Sequence, residues 1–147
     1  MIWPELMVVQ WGFHCDGVAA RWLLLAYLLC TLCTLAMVLR ARTIAQRLAP
    51  FALQSFARCA ILAARVATGR GSPAANRLYF AVELLGSAGG VLNGARLPER
   101  LVPGRLDVAL NSHQLMHILT AACVLCVFHG GAADHRHWHL EGRVCPR

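Results

Sequence analysis

His113 and His117 stand four residues apart within an apolar run, and on a helix that spacing projects both imidazoles from one face, one turn apart. A helix offers two nitrogen ligands to a single zinc ion in this way, with further ligands coming from elsewhere. The same spacing also suits a pair of histidines hydrogen-bonded inside a helix bundle. An ionisable residue within a membrane helix is costly to bury, which makes it a functional candidate by default. Asn111 and Ser112 precede the pair and are of the types that cap a helix start. They put the histidines about one turn inside the membrane end.

Other residues with chemical potential read as structural. Cys30–Cys33 and Cys123–Cys126 each have the C-x-x-C spacing that marks zinc ribbons in soluble proteins. Here they fall in the middle of apolar runs, where cysteine packs as a small apolar residue. Seven cysteines, mostly in apolar runs, offer no disulfide framework. His135, His137 and His139 alternate beside Asp134 in what reads as an exposed polar tail, although such a cluster could bind metal adventitiously. Gly86, Gly90 and Gly94 repeat every four residues, a spacing that lets a partner helix approach closely. Glu83, Arg58 and Arg65 are intramembrane charges expected to face the bundle interior. Either arginine could pair with Glu83, or reach back to an interface.

These residues must be held by membrane-spanning elements. Of 147 residues, 58% are hydrophobic and 14% charged, with a mean hydropathy of +0.53. Soluble domains average about 45–50% apolar and about 25% charged. Trp22–Leu39 has no charge and only two polar residues, Thr31 and Thr34. As a helix it extends roughly 27 Å, close to the roughly 30 Å hydrocarbon core. The net charge of +7 comes from arginines that sit between or beside the apolar runs. No basic stripe interleaved with aromatics is present, so no nucleic-acid partner is expected. The first basic residue is Arg21 and the apolar run after it is long, so no removable signal is expected.

Hydropathy therefore predicts an all-α, polytopic transmembrane helix bundle with about four spans. They lie at residues 22–39, 51–68, 78–97 and 108–128, within one helical domain over 22–128. Residues 1–21 form an apolar N-terminal segment whose stretch Ile2–Phe13, broken by Pro4, is too short to cross. It is either the end of a longer helix or interfacial. Residues 129–147 form a polar tail rich in His and Arg. Backbone groups in lipid must satisfy one another, so each span is helical. Arg40, Arg42 and Arg47 in one loop, and Arg96, Arg100 and Arg105 in another, outnumber Arg21, Arg70 and Arg77 on the opposite side. The positive-inside rule then puts both Arg-rich loops, and the His113 end, in the cytosol. Arg136, Arg143 and Arg147 add to the other side.

The stretch Asn93–His117, NGARLPERLVPGRLDVALNSHQLMH, resembles the signature of the progestin and adipoQ receptor family, which includes the adiponectin receptors and the bacterial hemolysin III group. Pro98-Glu99-Arg100, Pro103-Gly104-Arg105 with Asp107, and Ser112-His113-Gln114 with His117 occur in the family's order. Leu92-Asn93, Ala95-Arg96-Leu97, Asn111 and Cys145-Pro146-Arg147 look like one member's version of it. The resemblance is clearest over about residues 80–130 and extends from Trp22 onward.

The resemblance implies a seven-helix membrane fold with a cytosolic N-terminus and a zinc ion near the cytosolic side. It matches His113 and His117 to two zinc ligands on the last helix. A third histidine, on the second helix, and a carboxylate on the third helix that holds the zinc-bound water complete the family's site. It implies Zn2+ as cofactor and hydrolysis of a membrane lipid amide, of the sphingolipid or ceramide class. The alternative is a membrane receptor or interaction protein with a structural zinc. The four spans correspond to the last four family helices, so the chain is expected to be a C-terminal portion with an incomplete site and no ceramidase activity by itself. His14 and Asp16 match neither absent role, and no catalytic residue is assigned. The implied location is Golgi or other endomembrane, or the plasma membrane.

Overall fold

The computed structural model of the chain describes residues 3–13, 15–104 and 109–140. His14, Arg105, Asp107, Val108, Arg143 and the Cys145-Pro146-Arg147 terminus lie outside the described residues. The described elements are helical: α1 (Trp3–Gly12), α2 (Gly17–Arg40), α3 (Ile44–Ala67), α4 (Pro73–Ala95) and α5 (Ser112–His135), which runs on into a π-helical turn at Arg136–Leu140. The starts of α2, α3 and α4 have local causes. Asp16 caps α2 by accepting from the Ala19 N–H (3.0 Å), and Thr43 with Gln46 forms a reciprocal capping box on α3. Pro73 opens α4, where its missing N–H costs nothing.

Short connections between α2 and α3 and between α3 and α4, and a longer one between α4 and α5, make these helices run back and forth. One end of the bundle gathers the α2–α3 turn, the loop after α4 and the start of α5. The other gathers the ends of α1, α3 and α5 with the starts of α2 and α4. Val9, Phe13, Tyr27, Ile61, Leu62 and Tyr79 form the buried core. On α2, by contrast, Leu25, Leu28, Leu29, Leu32, Leu35 and Leu39 are all exposed. A continuous outward leucine surface of this kind suits lipid rather than water. By length and composition, two helical runs among the described residues can cross a membrane, Gly17–Arg40 and Ser112–His139.

The polar residues of α3 find partners inside the bundle. The Gln54 amide donates to the Tyr27 hydroxyl (2.7 Å) and to Thr31 Oγ1 (3.0 Å), and its carbonyl accepts from Thr34 Oγ1 (2.8 Å). Arg58 is the arginine that pairs with Glu83, through Nε (2.7 Å) and Nη2 (3.1 Å). Arg65 instead reaches Asp134 on α5, with both side chains at 0% exposure. Arg65 Nη2 lies 2.5 and 2.7 Å from the two Asp134 oxygens, Nη1 donates to the Val8 carbonyl and Nε to Asn76 Oδ1. The Ser72 N–H and the Tyr79 hydroxyl also donate to Asp134. One buried ion pair thus joins α1, α3, α4 and α5.

Three sequence expectations need correction. The stretch after Phe128 does not leave the bundle as a tail: α5 continues to His135 and buries Asp134 against Arg65, while His135 and His139 are exposed as expected. The glycines that face a neighbour on α4 and α5 are Gly89 and Gly130, not the predicted row. A Cβ at Gly89 would stand 3.6 Å from Leu119 and Met116, and one at Gly130 would press on the Tyr79 ring at 2.9 Å, whereas one at Gly86, Gly90 or Gly94 would meet nothing within 4 Å. Finally, Cys15 is disulfide-bonded, while Cys30, Cys33, Cys59, Cys123 and Cys126 are free thiols. Cys15 sits between α1 and α2, outside the apolar runs that hold most of the other cysteines.

Candidate metal centre at the start of α5

The loop that delivers the histidines begins where α4 ends, at Arg96, which adopts a left-handed conformation (φ 53°) and lets its own N–H and that of Leu97 close back on Asn93 and Leu92. The Leu97–Pro98 peptide is cis. This turn brings Glu99 to the start of α5. There Glu99 Oε2 accepts from the Ser112 N–H (2.8 Å) and Oε1 accepts from the Ser112 hydroxyl. Asn111 Oδ1 accepts from the Gln114 N–H (2.9 Å), and Gln114 Oε1 accepts from the Leu110 N–H (2.7 Å). The Ser112 and Gln114 amides of the first turn are thereby paired, and the negative carboxylate lies at the positive end of the helix dipole. The Ser112 hydrogen bond is the main reason the Glu99 carboxyl is held below its ordinary value of 4.5.

On this fixed start stand His113 and His117. Both are exposed, and their rings meet edge to face with centroids 4.5 Å apart. Their Nε2 atoms are 3.1 Å apart. Two ligands on a tetrahedral zinc with Zn–N distances of about 2.0–2.1 Å have nitrogens roughly 3.3 Å apart. The pair therefore fits one ion with little movement, and the same separation suits a hydrogen bond between one protonated and one unprotonated nitrogen. Ser112 does not join them; it is 3% exposed and turned to Glu99. Among the described residues, no group of three or more His, Cys, Asp or Glu side chains comes together to hold a metal. The two C-x-x-C pairs are not brought to this end; Cys123 lies against the Val82 carbonyl instead.

Glu99 was hidden from sequence reasoning as an orienting group. The available signal was its place in the Pro-Glu-Arg motif, which is joined to the Ser-His-Gln motif only through the folded loop.

A family model described as Haemolysin-III related matches residues 6–128. Curated relatives include progestin and adipoQ receptor family member 4 of Homo sapiens, 39% identical over 110 residues, and its counterpart in Mus musculus, 38% identical over 109. Each alignment covers 74% of this chain, and the chain spans only about 40% of the length of either relative. Heptahelical transmembrane protein 5 of Arabidopsis thaliana is 44% identical over 48 residues, covering 33% of this chain and 13% of its own. No solved structure gives a significant match. Together with the apolar helices, these similarities place the chain among integral membrane proteins, and it belongs to the haemolysin-III related family of progestin and adipoQ receptors.

Proposed function

We propose that this chain supplies the two-histidine arm of a zinc centre in a membrane hydrolase acting on lipid amides of the ceramide class. The supporting observation is the 3.1 Å separation of His113 and His117 Nε2, on a helix start that Glu99 fixes. Zinc, when bound, polarises an amide carbonyl and lowers the pKa of water to about 7. His113 and His117 hold the ion, and Glu99, acting through Ser112, orients the turn that carries them. The outward leucine face of α2 keeps the site beside the lipid that carries the substrate. A catalytic zinc takes three protein ligands. On this reading the third ligand belongs to another part of a longer protein or to a second chain, and this chain alone holds zinc weakly and does not hydrolyse ceramide.

The test is zinc content and ceramide hydrolysis of the purified chain in detergent, alone and co-expressed with the N-terminal helices of a full-length relative. Weak binding and no hydrolysis alone, both restored by the added helices and abolished again by His117→Ala, are expected. One tightly held zinc per molecule in the chain alone would overturn the incomplete-site reading, and so would robust hydrolysis.

The alternative reading is a membrane receptor or interaction protein with a structural zinc and Arg-rich loops facing cytosolic partners or anionic lipids. It is favoured by one observation: Glu99, the carboxylate that reaches the start of α5 among the described residues, is committed to Ser112. Zinc binding without hydrolysis in the reconstituted protein would support it.

A further inference from the structure

We propose that His135 and His139 form a second transition-metal site, at the end of the bundle opposite His113 and His117. This site is independent of the zinc centre proposed above. The two residues repeat the same four-residue spacing twenty-two residues further along, roughly 33 Å of helix. Between them the backbone passes into the π-helical turn Arg136–Leu140. A π-turn carries more residues per turn than an α-turn, so residues four apart come close to eclipsing one another. The rings accordingly lie at 37° with centroids 4.8 Å apart, and both residues are exposed.

Trp11 of α1 forms a wall against the pair. Its ring stands edge-on to His135 (5.6 Å between centroids) and to His139 (5.5 Å), and its carbonyl accepts from Trp138 Nε1 (2.9 Å). The pair is therefore held against the bundle rather than swinging on a tail. Among the described residues the neighbouring carboxylate, Asp134, is consumed by Arg65, and Arg136 brings a positive charge, so the pair itself offers imidazole nitrogen. That donor set suits copper, nickel and zinc and does not suit magnesium or calcium.

The tryptophan wall supplies a readout, since a copper or nickel ion held by these rings quenches Trp11. The full chain in detergent micelles is titrated with Cu2+, Ni2+, Co2+ and Mg2+ while tryptophan emission is followed. Saturable quenching is expected, with affinity in the order Cu2+ > Ni2+ > Co2+ and no effect of Mg2+. Loss of an outer-shell group alone costs a metal site about 10–100-fold, so His135→Gln or His139→Gln weakens binding by at least about tenfold. His113→Ala/His117→Ala and His137→Ala leave the quenching midpoint unchanged. Trp11→Phe removes most of the amplitude while calorimetry still detects the ion. Quenching that persists in His135→Gln/His139→Gln, with an unchanged circular-dichroism spectrum, overturns the proposal. Quenching lost equally in His137→Ala does so as well, because it would mark a flexible histidine tail in place of the pair.

Discussion

Glu99 and Ser112, thirteen residues apart, are bound to each other through both the backbone N–H and the hydroxyl of Ser112, so the Pro-Glu-Arg motif holds the first turn of the helix that carries His113 and His117. Through Glu99 the loop after α4 therefore supports the turn that carries the proposed metal pair.

Glu99→Gln is expected to loosen the start of α5 and, on the function proposed above, to weaken zinc binding at His113/His117 by about tenfold, the low end for a group one step further from the ligands than an outer-shell partner. Ser112→Ala is expected to do the same. The effect depends on pH in a defined direction. Because the Glu99 carboxyl is held below 4.5, mainly by Ser112, its contact stabilises the fold above the ordinary carboxylate range and is lost as pH falls through the lowered value. Thermal melts of the wild type should therefore drop more steeply on acidification than those of Glu99→Gln. Parallel curves would contradict this role.

Asp134→Ala leaves the Arg65 guanidinium buried without its counter-ion. Breaking a buried pair by removing one partner costs about 3–5 kcal/mol. Arg65 also passes between two glycines: a Cβ at Gly12 would stand 2.8 Å from its Cδ, and one at Gly71 (φ +72°) would overlap its Nη2. Gly71→Ala is expected to destabilise the chain by the same route, with added backbone strain. Detergent-resistance or steric-trap measurements of both variants test this, and wild-type stability in either would refute the network's structural role.

How far the sequence disclosed this arrangement depends on the range of the contacts involved. Helical runs and the His113/His117 pair were readable because hydropathy and four-residue spacing are local properties. Asp134 was not, since it stands among histidines and arginines without apolar periodicity and its partner is 69 residues away. The glycine row failed for a geometric reason. Spacing of four defines a stripe but not which neighbour it meets, and the true contact at Gly89 lies one residue, about 100° of helix rotation, from Gly90. Glu99 needed the folded loop to reach Ser112.

That rotation gives a direct test of α4–α5 packing. Gly89→Leu is expected to push α5 away and lower the yield of folded protein, whereas Gly90→Leu, pointing into open space, leaves it unchanged within this chain. Gly130→Ala should also destabilise, because Tyr79 closes over that position while donating to Asp134. Equal yields of Gly89→Leu and Gly90→Leu would place the contact elsewhere.

The last prediction concerns orientation. The turn after α2 carries Arg40 and Arg42, and the loop after α4 carries Arg96 and Arg100; both lie at the His113 end, which the positive-inside rule assigns to the cytosol. The Cys15 disulfide lies at the opposite end, and disulfides persist in oxidising compartments, so an independent chemical argument assigns that end to the lumen or the exterior. In sealed microsomes, whose outer face is cytosolic, a cysteine at Arg42 should react with an impermeant maleimide without detergent. A cysteine at Ala74, at the start of α4, should react only after detergent is added. Both positions are exposed, so access to the reagent depends on the membrane alone. The free native cysteines are replaced beforehand, with Cys15 retained. Labelling of Ala74→Cys in sealed vesicles, with Arg42→Cys protected, would invert the topology and move the His113/His117 pair to the lumenal side.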